Sequence, residues 1–162
     1  MREKAGISII NRRTFVVSAV AAAGLTPLLV YARTLGSLTL ERSQQFQDEF
    51  ARLTGDAIPV EDKIKVDLPE LAENGNFVPI TITVDSPMTE ADHVRAIHIL
   101  ATANPVAQIA TFHLSPMNGI ARVQSRIRLA KTEDVVTLAE LSSGAMLIAT
   151  TLVKVTIGGC GI

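Results

Sequence analysis

The residue best suited to covalent chemistry is Cys160, the single cysteine of the 162-residue chain. It lies in the closing segment Gly158-Gly159-Cys160-Gly161-Ile162, with a glycine on each side. Because one cysteine cannot close a disulfide within its own chain, the thiol either pairs with another chain or acts as a reactive group. We interpret Cys160 as a working thiol.

The glycines around this thiol indicate how it is presented. Glycine has no Cβ atom, so the tail is thin enough to enter a narrow channel in another protein, and its dihedral angles are less restricted. We therefore predict residues 158–162 as a flexible arm, in which Gly158, Gly159 and Gly161 form a swivel for Cys160.

The sequence around Cys160 offers little to activate its sulfur. A thiolate forms more readily beside cations or at a helix N-terminus. The nearest cation in sequence is Lys154, which we place farther back on the last strand. We therefore expect ordinary reactivity for the free thiol and activation inside the sites of partner enzymes, with no cofactor on this chain.

A second group of candidate ligands consists of the three histidines, His93, His98 and His113, together with Met88 and Met117. Imidazole and thioether groups suit copper. His93 and His98 are separated so that a regular strand places them on opposite faces, and we interpret the histidines as strand-end or interface residues without metal. A copper-binding β-sandwich remains the weaker alternative.

Other catalytic patterns are missing from the sequence. No Gly-x-Ser-x-Gly elbow and no glycine-rich phosphate loop is present. The acidic pairs Glu61-Asp62 and Glu133-Asp134 lie beside turn residues, and we interpret them as solvated charges rather than acid–base pairs. The formal net charge of −1 offers no broad basic face for nucleic acid. We predict no catalytic residues and a chain that is not an enzyme.

The N-terminal segment has the order of an export signal. Basic residues come first, an apolar run from Phe15 to Leu25 follows, and small residues reach Ala32. Arg12 and Arg13 stand as in a twin-arginine motif, although Asn11 occupies a position where Ser or Thr is usual. We predict residues 1–32 as a twin-arginine-type signal peptide, a periplasmic location, and no membrane segment in the mature form.

The elements that must carry the tail are mainly strands. Phe46 and Phe50 are spaced for one face of a short helix that ends before Gly55, and turn residues separate the later apolar segments. Pro79 predicts that its part of a strand lies at an edge. We predict an all-β, immunoglobulin-like antiparallel β-sandwich of about seven strands with a short N-terminal helix, spanning residues 33–157. The predicted strands are 64–68, 77–84, 94–101, 107–114, 120–129, 135–141 and 145–157.

The chain resembles the SoxY family of thiosulfate-oxidation carrier proteins of the Sox system along nearly its whole length. The closing Gly158-Gly159-Cys160-Gly161 carries the resemblance most specifically, and Ile162 departs from the family's usual final glycine. The other matching segments are residues 11–15, 68–75, 84–89, 110–113, 126–130 and 153–157.

This resemblance implies a chemistry and a set of partners. Cys160 would carry thiosulfate-derived sulfur that a c-type cytochrome couples to it, a hydrolase shortens by releasing sulfate, and a sulfane dehydrogenase oxidises further. It also implies a heterodimer with a SoxZ-like β-sandwich subunit. The alternative from a different class is a secreted β-sandwich interaction module whose lone cysteine only cross-links chains.

Overall fold

The structure is a computed structural model that describes residues 42–159. It begins with helix α1, Gln44–Thr54, whose first turn is capped by the Ser43 hydroxyl accepting a hydrogen bond from the Phe46 amide at 3.2 Å. Gly55 ends the helix with a φ of 53°, a value that favours glycine. The predicted short helix and its glycine stop are confirmed.

Eight strands follow within the described residues. A single 3-10 turn, Pro116–Asn118, separates the fifth strand from the sixth. The strands are β1 Ile64–Asp67, β2 Leu71–Asn74, β3 Val78–Val84, β4 Val94–Ala101, β5 Gln108–His113, β6 Ala121–Ile127, β7 Glu133–Leu141 and β8 Met146–Ile157.

The strands form two sheets. The smaller has the order β1-β3-β6 and the larger the order β2-β8-β7-β4-β5. Neighbours are antiparallel with one exception, since β2 runs parallel to β8.

A shared apolar core lies between the two sheets. It contains Ile80 and Ile82 of β3 together with Ile97 and Ile99 of β4, all at most 2% exposed. Alternation along each strand puts these branched side chains on the inner faces, where their burial drives the sheets together. The predicted all-β sandwich is thereby confirmed.

Helix α1 covers the outer face of the larger sheet. Phe46 is 2% exposed and packs with Leu100, Val136, Leu138 and Met146 in a second apolar cluster. Because Val136 and Leu138 alternate with residues that face the main core, β7 is apolar on both faces. The larger sheet is therefore the central layer of three.

Strand β2 corrects the predicted number of strands. Its residues, Leu71–Asn74, lie between the predicted strands 64–68 and 77–84, so about seven strands become eight. At Pro79, β3 has β6 on one side, while β1 pairs only with the later part of β3, from Thr81 onward. The local edge predicted from Pro79 therefore exists, although β3 is the middle strand of its sheet.

No helix within residues 42–159 is long and apolar enough to cross a bilayer. The predicted signal peptide, residues 1–32, lies outside the described residues, as do Arg12 and Arg13.

Candidate functional site: the base of the C-terminal tail

Strand β8 leads into the C-terminal tail and is hydrogen-bonded to β7 on one side and to β2 on the other. It pairs with β7 from Met146 to Val153, and its final part pairs with β2, where Leu71 lies opposite Lys154 and Asn74 opposite Ile157. The parallel partner therefore supports β8 where β7 no longer reaches it. The strand that leads to Cys160 stays in a sheet until Ile157.

Three backbone hydrogen bonds join the end of β8 to two other segments. The amide of Gly75 donates to the carbonyl of Ile157, the amide of Leu129 to Gly75, and the amide of Gly159 to Leu129, each at 2.8 Å. We call Gly75, Leu129, Ile157 and Gly159 the arm-base junction. It anchors the residue immediately before Cys160 in the chain.

The glycines of this junction are required by space. A Cβ atom on Gly75 would lie 2.2 Å from the Leu129 carbonyl oxygen and 2.7 Å from the Gly159 nitrogen. Beside the junction, a Cβ on Gly158 would lie 2.2 Å from the Ala130 carbonyl oxygen. All three distances are too short for any real contact, so only glycine lets the three backbones approach this closely.

These contacts place two of the predicted arm residues. Gly158 and Gly159 lie against residues 129 and 130, and the Gly159 amide is hydrogen-bonded. The swivel proposed for Gly158, Gly159 and Gly161 stays a prediction. Cys160, Gly161 and Ile162 lie outside the described residues.

Asn104 holds the middle segment of the junction. Its side-chain Nδ2 donates to the Arg128 carbonyl at 2.9 Å, and its Oδ1 accepts from the Ala130 amide at 2.8 Å. The amide group therefore fixes the peptide on each side of Leu129, whose side chain is fully buried. Asn104 lies between the predicted strands 94–101 and 107–114, and the sequence does not indicate its role because these partners lie far along the chain.

The interpretation of Glu133-Asp134 as solvated charges is wrong for Glu133. It is 0% exposed, and its Oε2 accepts a hydrogen bond from the Ala103 amide at 2.7 Å. Burial raises the pKa of this carboxyl, and backbone N–H groups, first that of Ala103, oppose the rise. The carboxyl fixes the loop that precedes Asn104.

The histidines do not gather into a ligand set. His93 lies just before β4, with Nδ1 3.1 Å from the Thr89 carbonyl, whereas His98 is buried within β4 and bonds Thr111 Oγ1 at 2.9 Å. His113 ends β5 and is exposed. Within residues 42–159, no three His, Cys, Asp or Glu side chains cluster as metal ligands would.

Exposed apolar side chains lie near the arm base. Leu71 is 57%, Phe77 59% and Ile157 65% exposed. The guanidinium of Arg126 lies 4.4 Å from the centre of the Phe77 ring, a cation–π contact. Leu71 and Ile157 belong to the paired strands β2 and β8, so part of this apolar surface borders the tail.

Fold and junction together define a β-sandwich protein that ends in an anchored, cysteine-bearing tail. Residues 50–160 match the family described as sulfur oxidation protein SoxY. The chain belongs to the SoxY family.

A solved relative supports this assignment. The sulfur carrier protein SoxY from Chlorobium limicola f thiosulfatophilum is 33% identical, with a TM-score of 0.58 over 70% of this chain and 97% of that one. The resemblance recognised in the sequence is confirmed. A search among curated proteins found no match.

More distant structures share the fold alone. A superoxide reductase (neelaredoxin) from Ignicoccus hospitalis is 16% identical, with a TM-score of 0.51 over 58% of this chain and 80% of that one. A putative superoxide reductase from Thermotoga maritima is 18% identical, with a TM-score of 0.52 over 62% and 95%.

Proposed function

We propose that this protein is a periplasmic sulfur carrier that holds thiosulfate-derived intermediates covalently on Cys160. The observation that carries the proposal is the position of the single cysteine, directly after a tail base anchored to a SoxY-family sandwich. The solved relative, itself a sulfur carrier, supports the same role. The protein supplies the attachment point, and partner enzymes supply catalysis.

Loading is an oxidative coupling. The Cys160 thiol loses its proton, its sulfur bonds to the outer sulfur of thiosulfate, and the two electrons released pass to a c-type cytochrome. The product is a cysteine S-thiosulfonate. Because a thiolate is the attacking species, the partner site must favour deprotonation.

Unloading proceeds in steps on the same sulfur. A hydrolase adds water to the terminal sulfone group, which leaves as sulfate, and a persulfide remains on Cys160. A sulfane dehydrogenase then oxidises that outer sulfur further, with water supplying the oxygen atoms and an electron acceptor of that enzyme taking the electrons. No step in this sequence needs a general acid or base from the carrier itself.

Partner binding requires a surface apart from the thiol. We propose a heterodimer with a SoxZ-like β-sandwich subunit. The exposed Leu71, Phe77 and Ile157 support an apolar contact, since a sandwich can protect its edges by pairing with another. Export by the twin-arginine route, through Arg12 and Arg13, belongs to the same proposal, under which the partners would meet the carrier in the periplasm.

Moving the thiol tests the role of its position. Cys160→Ser should abolish thiosulfate oxidation by the reconstituted system while leaving heterodimer assembly intact. The control combines Cys160→Ser with Ser143→Cys, which puts the thiol on an exposed turn. It should remain inactive. Full oxidation by Cys160→Ser, with only cross-linking lost, would instead support the interaction module.

A further inference from the structure

We infer that Gly75 and Asn104 are positioning residues for the carrier thiol, because together they fix the base of the arm at Gly159. The inference rests on the proposed role of Cys160 as the attachment point. Both residues are far from the tail in sequence, and the fold brings them to it through Leu129.

The junction is continuous through Gly75. Gly75 receives the Leu129 amide on its carbonyl and gives its own amide to Ile157, so one residue contacts both sides of the tail base. Leu129 then accepts the Gly159 amide. Removing Gly75 from its place therefore disturbs the bonds on both sides at once.

Glycine at position 75 is required by space. The described glycines with positive φ are Gly55, Gly119 and Gly144, and Gly75 is not among them. Its φ is therefore not one that favours glycine, and the lack of space is what excludes a side chain. An alanine there would separate the Leu129 carbonyl from the Gly159 amide without a separate backbone penalty.

Leu129 is itself held in place by Asn104. A carbonyl in a connecting loop accepts well only if the loop is held in register. Asn104 bonds the peptide groups on both sides of Leu129 through one rigid amide. Without the Asn104 side chain, the Leu129 carbonyl that accepts from Gly159 would keep its average position but would be less constrained.

The consequence concerns how the thiol is presented. With Gly159 anchored, one peptide link of about 3.8 Å separates the anchor from the thiol-bearing position. Release back to Ile157 would add two residues and roughly 7 Å of reach. A partner would then meet a thiol spread over a larger volume and would have to order it on binding, which weakens the encounter complex.

The native single cysteine allows a direct test. Amide exchange of Gly159 and the mobility of a nitroxide on Cys160 are measured in the wild type, Gly75→Ala, Asn104→Ala and Asn104→Asp. Gly144→Ala and Asn118→Ala are the controls, because they alter a glycine and an asparagine of exposed turns away from the junction. Gly144 has a φ of 84°, so an alanine there strains the backbone, and this variant controls for general destabilisation. The KM and kcat of cytochrome-dependent loading are measured on unlabelled samples.

We expect Gly159 exchange to quicken about fivefold or more in Gly75→Ala and Asn104→Ala, because weakening the junction by about the net contribution of one hydrogen bond makes it open about fivefold more often. The nitroxide should become more mobile, and the KM for loading should rise while kcat is unchanged. Asn104→Asp retains the acceptor for Ala130 and should show a partial effect. The controls should match the wild type in all of these measurements.

Two results would overturn the inference. One is an unprotected Gly159 amide in the wild type; the other is unchanged exchange, mobility and KM in Asn104→Ala. Asn104→Ala keeps the test valid if Gly75→Ala fails to fold. A protected Gly159 amide combined with no loading of Cys160 would refute the proposed function instead, so the two failures are distinguishable.

Discussion

The amide of Gly159 donates a 2.8 Å hydrogen bond to the carbonyl of Leu129, whose side chain is fully buried in the sandwich core. The segment that leads to the single cysteine is thus tied to a residue that cannot move without disturbing the core. The bond holds Gly159, the second residue of the predicted arm, against the domain.

Replacing Glu133 should alter how stability depends on pH. Burial raises the pKa of this carboxyl above its ordinary value of 4.5, so the folded state favours the protonated form. Its stabilising contribution is complete below pH 4.5 and is lost as pH rises through the folded-state pKa. Glu133→Gln should remove this loss, as urea unfolding at several pH values would reveal.

The matched control for Glu133 is Glu73→Gln, which changes an exposed carboxyl of β2. Its stability profile should parallel the wild type. If Glu133→Gln also parallels the wild type across the same pH range, burial does not govern this group.

The contribution of His98 to stability should depend on pH in the direction opposite to that of Glu133. Burial lowers its pKa, as do the charges of His113 and Arg52, while Glu140 and Glu49 oppose the shift. Its contribution is complete above its ordinary pKa of 6.5 and is lost as pH falls from there through the folded-state pKa. His98→Gln should therefore lose less stability on acidification.

Thermal unfolding between neutral and mildly acidic pH measures this difference for His98. His93→Gln changes a partly exposed histidine outside the strand and serves as the control. Equal acid sensitivity of His98→Gln and the wild type would contradict the assignment.

Phe46 should be the residue on which docking of helix α1 depends most. It is 2% exposed, lies in the second apolar cluster, and its ring centre is 5.7 Å from that of Phe50. Phe46→Ala should cost about 3–5 kcal/mol of unfolding free energy. Phe77→Ala, at a ring that is 59% exposed, should cost less than about 1 kcal/mol. Equal costs in chemical denaturation would refute this view of the core.

The free thiol of Cys160 should show ordinary reactivity. The prediction follows from the sequence, in which Lys154 is the nearest cation. The rate of alkylation against pH should follow an unperturbed cysteine in the isolated protein and shift only with a partner present. Fast alkylation well below neutral pH in the isolated protein would show that the chain activates its own thiol.

Much of this fold follows from local pattern. The helix is evident from the spacing of Phe46 and Phe50, and β3 to β8 from apolar segments bounded by turn residues. Strand β2 was not predicted because Leu71–Asn74 is short and half polar, and because its partner is the distant, parallel β8. Its existence is decided by pairing rather than by propensity.

Of the candidate site, only the cysteine could be predicted from the sequence. A single cysteine between glycines identifies Cys160 from sequence alone. The roles of Gly75, Asn104 and Glu133 depend on contacts between segments that are distant along the chain. The local sequence around each residue is the same whether or not a distant backbone segment packs against it, so it does not reveal these contacts. The buried carboxyl of Glu133 is compensated by the Ala103 amide, a contact that no local pattern reveals.

The most direct test of the account is the intact mass of the protein isolated from its native periplasm, with and without thiosulfate in the medium. A reducible mass increase on Cys160, matching a thiosulfonate or sulfane sulfur and present only with thiosulfate, is the predicted result. A bare thiol under both conditions, or only a Cys160–Cys160 dimer, would contradict the carrier role.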